Sequence, residues 1–130
     1  MNILVAYDGT RESREAARVA TRHAKAFNAR IILAYSMVGG PEIPKKEFEK
    51  AEKELQLQEI ALKEEGLECE SLLSVRGMEI GEDILKIAEE KQAEEIVIGI
   101  QRKSKVGKLL FGSTAQFIIM NAPCPVVTVR

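Results

Sequence analysis

Residues 99–114 read GIQRKSKVGKLLFGST and hold most of what could do chemistry in this chain. Gly99 ends an apolar run and Gly112-Ser113-Thr114 opens a helical one. A junction of that kind turns backbone N–H groups and the positive end of a helix dipole toward an anion. Arg102, Lys103, Lys105 and Lys108 add cations suited to phosphate or, second, to nucleic acid. The plainer reading makes Gly99 a turn residue, Ser113 a helix cap and the cations a solvated loop. Spacing alone leaves the two readings level.

Named nucleotide loops do not fit. A Walker loop requires GxxxxGK[ST], and RKSKVGKL has arginine for the first glycine and Leu109 where the magnesium-binding hydroxyl belongs. No GxGxxG follows the first apolar run, which continues YDGTRES, so hydride chemistry on a dinucleotide is unsupported. Asp8 could meet a polar ligand edge, although an aspartate before Gly9 also reads as an ordinary turn residue.

Catalytic residues are not evident. His23 is the only histidine and falls in the first helical segment, away from the glycine loop, so it makes a poor base for Ser113. The pairs Glu64-Glu65, Glu89-Glu90 and Glu94-Glu95 read as solvated carboxylates. Cys69 and Cys124 lack metal-ligand spacing and read as reduced, mostly buried thiols, and no metal site is expected.

The elements that must position these residues follow from the apolar pattern. Residues 3–6 (ILVA) and 31–36 (IILAYS) read as buried strands, residues 68–75 as a third, 95–99 (EIVIG) as a fourth and 126–129 (VVTV) as a terminal one. Between them lie helices. The first carries Ala16, Ala20, Ala24 and Phe27 on one face, with Thr10 and Ser13 as caps and Asn28 as its stop. The second, over 45–65, carries Phe48, Ala51, Leu55 and Leu62 and stops at Gly66. The third, over 80–91, turns Ile80, Ile84, Ile87 and Ala88 inward, and the fourth spans 113–121. Gly39, Gly40, Pro41 and Pro44 mark a loop after the second strand.

Strands apolar on both faces and alternating with helices predict a doubly wound α/β domain with a parallel sheet. Its ligand crevice belongs at the carboxyl ends of the strands, after Asp8, Ser36 and Gly99. The chain has 130 residues and a formal net charge of -1, which suits one domain over 1–130 and gives no global reason for a nucleic-acid or membrane partner. Without a leader pattern or a membrane-length apolar run, the expected location is the cytoplasm.

The segment IVIGIQRKSKVGKLLFGSTAQFIIMNAPCPVVTV closely resembles the C-terminal half of the universal stress protein family. That family's nucleotide pattern is a Gly, two residues, a Gly, nine residues, then Gly with Ser or Thr. Here it is filled by Gly99, by Arg102 in the second glycine's place, and by Gly112 and Ser113. The likeness runs through the whole chain: a first strand ending in aspartate, an alanine-rich helix and an Ala-Pro-Cys-Pro-Val close.

The resemblance implies a five-stranded sheet in the order 3-2-1-4-5 with helices on both faces, the adenine nucleotide alpha hydrolase-like plan. It also implies a homodimer formed through the last strand, from Val126 to Arg130. It implies an adenine nucleotide, AMP or ATP, with Mg accompanying ATP, held as a signal that an unidentified protein partner reads. Rapid turnover is not implied; slow ATP hydrolysis is the most that would be expected. By resemblance, Ala6, Tyr7, Asp8 and Ser36 border adenine, Gly99 lies under the ribose, and Gly112, Ser113 and Thr114 meet the phosphates.

Arg102 exchanges a close backbone approach for a charged side chain able to make up to two charge-assisted hydrogen bonds, worth roughly 1.5–3 kcal/mol each. The expectation is that it preserves binding and favours a shorter nucleotide. The alternative is a dimeric scaffold of the same family that has lost the nucleotide.

Overall fold

The structure is a computed structural model and describes residues 1–101 and 112–130. The elements alternate as expected: β1 (Asn2–Ala6), α1 (Arg11–Phe27), β2 (Arg30–Ser36), α2 (Lys45–Glu64), β3 (Cys69–Ser74), α3 (Ile80–Glu90), β4 (Glu95–Gly99), α4 (Ser113–Asn121) and β5 (Val126–Val129). All strand pairs are parallel, and the order is β3-β2-β1-β4-β5. The central strand, β1, is Ile-Leu-Val with no exposed face, and its Ile3, Leu4 and Val5 are wholly buried. Each such side chain contributes roughly 1.5–3 kcal/mol by leaving water.

Period-two alternation sorts the strand residues into two cores. Ile3, Val5, Ile31, Leu33 and Val97 pack with Ala16, Ala17, Ala20 and Ala24 of α1 and with Leu55 and Leu62 of α2. Leu4, Ile32, Ala34, Ile96 and Ile98 pack with Ile84, Ile87 and Ala88 of α3 and with Ala115 and Ile118 of α4. The alanine stripe lets α1 lie close on the sheet.

Local signals end the helices where the sequence indicates. Thr10 Oγ1 accepts from Ser13 N–H at 3.2 Å, and Asn28 takes the left-handed conformation at φ 54° as the stop of α1. Gly66, at φ +82°, carries the chain out of α2. Two aromatic residues depart from the expected stripes: Phe27 and Phe48 are exposed. Phe27 is the last residue of α1. Phe48 lies in the first turns of α2, before the buried run of that helix begins at Ala51.

Glu95 departs in the other direction. It faces α1 and lies nearly buried, with its Oε1 2.7 Å from His23 Nδ1. Strand alternation put it there, on the same face as Val97. Both cysteines are free and half-buried. Burial, and then the Glu59 carboxylate, push the Cys69 thiol up to about 12; burial, and then Glu95, also raise that of Cys124. Among the described residues no helix is long and apolar enough to cross a membrane.

Candidate functional site

Because β2 and β3 lie to one side of β1 and β4 and β5 to the other, the chain reverses its winding at the gap between β1 and β4. The loops beyond the carboxyl ends of those two strands therefore part and leave a crevice. A cavity of about 260 Å³ occupies it. Its floor is apolar, made by Ala6, Ile84, Ile98 and Ile118, with Ile80, Ile100 and Ala115 at its sides. A flat, partly apolar ligand suits such a slot, near the lower end of the size range of small-molecule pockets.

Polar groups stand at two places on its rim. At one, Asp8 Oδ1 accepts from the backbone N–H of Thr10 at 3.0 Å and from its hydroxyl at 2.6 Å. That is the turn role anticipated for an aspartate before Gly9. The second carboxylate oxygen has no hydrogen-bond partner among the described residues, so the turn does not exhaust the group. Ser36 closes the same end from the tip of β2. Tyr7 sends its ring into the core between the sheet and α2, where its hydroxyl donates to Gln58 Oε1 at 3.4 Å. What it offers the cavity is main chain.

At the other place α4 begins. Gly112 is its N-cap, in extended geometry at φ −64° and ψ 160°, with no side-chain cap. Ser113 is the first helical residue rather than the cap. Among the described residues no side chain accepts from the first-turn N–H groups, and they carry the positive end of the helix dipole. Gly112 and Thr114 border the cavity.

The two glycines of the motif are small for different reasons. A Cβ on Gly99 would collide with the backbone of Glu12 and come within 2.8 Å of its Cβ, so the fold itself demands glycine where β4 passes the start of α1. A Cβ on Gly112 would meet nothing within 4 Å among the described residues, and its φ is open to any residue. Among the described residues, packing does not require that glycine.

The structure thus brings Ala6, Tyr7, Asp8, Ser36, Gly99, Gly112 and Thr114 to one cavity, and leaves Ser113 off its lining. Arg102 lies outside the described residues. Sequence reasoning missed Glu12, whose carboxyl is held below the usual range by its own backbone N–H and then by Gln101. It also missed Asp83, buried just behind Ser36. Asp83 stands among Ile80, Ile84 and Ile87 on the inward stripe of α3, and that spacing could have revealed it. Among the described residues no cluster of His, Cys, Asp or Glu could hold a metal ion.

A doubly wound parallel sheet with a crevice at its switch point, an acidic turn on one rim and a helix start on the other, defines a small α/β protein with a candidate ligand crevice. The profile of the Universal stress protein family matches residues 1–130, and the chain belongs to that family. A universal stress protein of Thermus aquaticus is 36% identical, with 98% of this chain and 97% of the relative covered. The solved structure of a universal stress protein from Archaeoglobus fulgidus is 32% identical, with a TM-score of 0.89 over 100% of this chain and 93% of that one. A universal stress protein from the same organism, solved in complex with dAMP, is 26% identical, with a TM-score of 0.83 over 99% and 96% of the two chains.

Proposed function

We propose that this chain is a cytoplasmic regulatory protein of the stress response that binds an adenine nucleotide, AMP or ATP, in the cavity between β1 and β4. The base lies in the apolar slot against Asp8 and Ser36, and the phosphates extend past Gly99 toward Gly112 and Thr114. The observation that carries this reading is Gly112, small at the start of α4 with no packing reason among the described residues. It stands where a ligand oxygen would approach the backbone most closely. The dAMP complex of the Archaeoglobus fulgidus relative supports the choice of ligand class.

The nucleotide acts as a signal. Any Mg²⁺ would arrive on the triphosphate itself. Bound nucleotide would alter the rim formed by the β1–α1 turn and the start of α4, where a partner protein reads it. Denaturing the purified protein and identifying released small molecules, then titrating the apo protein with AMP and ATP, tests the reading. Absence of nucleotide together with no heat from either titration overturns it.

One sequence observation favours a second reading, a scaffold without nucleotide: Arg102 in place of the family's second glycine. Arg102→Gly separates the two. ATP binding gained from none supports the scaffold, whereas AMP binding unchanged or weakened counts against it.

A further inference from the structure

We propose that Asp83, which does not border the cavity, selects the purine by fixing the direction in which the Ser36 hydroxyl donates its proton. Resting on the nucleotide reading above, this adds what the base end of that site discriminates: 6-amino purines over 6-oxo purines.

Asp83 is 1% exposed, yet every side of its carboxylate is engaged. Oδ1 accepts from Arg76 Nε at 2.8 Å and from Arg76 Nη2 at 2.6 Å. Oδ2 accepts the Ser36 hydroxyl at 2.5 Å. Arg76 is itself anchored by Glu90, whose two oxygens lie 2.9 and 3.0 Å from Nη1. The carboxylate is therefore fixed before any ligand arrives. Burial alone would raise its pKa, but Ser36, Ser74 and Arg76 hold it below the usual range.

An ionised carboxylate only accepts hydrogen bonds. The single proton of the Ser36 hydroxyl is thus committed to Asp83, and what Ser36 presents to the cavity is lone pairs. Ile32, Ala34 and Ser36 alternate onto the face of β2 that carries α3 and the cavity, so those lone pairs are available there. An acceptor at the base end pairs with the exocyclic amine of adenine and opposes the carbonyl oxygen that hypoxanthine and guanine carry at the same ring position. A polar mismatch in a buried site discriminates more sharply than a difference in size. Asp83 is in this sense a positioning residue acting through Ser36.

Calorimetric titration with AMP and with inosine monophosphate, which differ at that ring position, tests the proposal. The wild-type protein should favour AMP by about tenfold or more, the effect of one hydrogen bond gained in one case and opposed in the other. In Asp83→Asn the amide oxygen keeps the Arg76 donors while its N–H group turns toward Ser36, freeing the hydroxyl proton for the cavity. The preference should then fall to near one or reverse. Ser36→Ala, which leaves Asp83 with Arg76, should also bring it near one and serves if Asp83→Asn does not fold. AMP binding with a wild-type preference near one overturns the proposal alone, as does a tenfold preference retained in the variants. Failure of wild-type protein to bind AMP overturns the nucleotide reading and this proposal with it.

Discussion

Gly99 and Gly112 separate a residue the fold needs from one the fold merely tolerates. Gly99→Ala drives a methyl group into the backbone of Glu12, and overpacking of that kind costs about 1–3 kcal/mol. Urea unfolding should register it as a lowered midpoint. Gly112→Val meets open space among the described residues and should change stability by no more than about 0.5 kcal/mol; in calorimetry it should weaken nucleotide binding strongly. At position 83 the expected signature is acid sensitivity. The folded pKa of Asp83 is below its ordinary value of 3.8, so its stabilisation is complete above about pH 4 to 5 and is lost as pH falls through the folded value. Urea midpoints measured from pH 7 down to pH 2.5 should fall less steeply for Asp83→Asn than for the wild type. Asp83 was overlooked in the sequence because it sits beside Glu82 in a first helical turn, where acids commonly serve the helix dipole. The helical stripe of Ile80, Ile84 and Ile87 marked its inward face, but its partners Ser36 and Arg76 are brought to it only by the tertiary fold.

The elements were more legible than their contents. Buried strands announce themselves as short β-branched runs, and the cap at Thr10 and stop at Asn28 are local chemistry, so the extent of α1 was readable, with Ser13 standing as the other candidate cap. Thr10→Ala removes both the acceptor for the Ser13 N–H and the hydroxyl that braces Asp8. It should cost about 1 kcal/mol in urea unfolding and loosen the acidic rim of the cavity as well. The burial of Glu95 could not be read from the Glu94-Glu95 pair, because its partner His23 lies far away in sequence. Only the packing of α1 against β4 brings the two together. Ser113 shows the limit of motif reading: spacing placed it correctly at a helix start, but helix geometry made Gly112 the cap and turned Ser113 off the cavity lining.

For the whole molecule, the edge strand β5 is the feature with the widest reach. Ile96 and Ile100 donate to the carbonyls of Pro125 and Val129. A parallel ladder with that register uses the odd-numbered groups of β5 and turns those of Val126 and Thr128 outward. An unpaired apolar edge invites a second copy, and we propose the homodimer through Val126 to Arg130 on that ground. Thr128→Pro withdraws an outward donor at a position where an edge strand tolerates proline. Light scattering should report a dimer for the wild type and a monomer for the variant; a wild-type monomer would sink the proposal.

The strand order has a further consequence, in time rather than in space. β1 is made first but is completed on one side only when Ile3 finds Glu95, across nearly three quarters of the chain. Pairings this remote form slowly because the intervening loop must close before any contact repays it. The β1–β2–β3 half can assemble from nearer neighbours, whereas the crevice does not exist until the β4–β5 half docks against β1. A nucleotide that binds there acts as a latch on the last step of folding. It should slow unfolding more than it speeds refolding, which stopped-flow measurements with and without AMP would resolve.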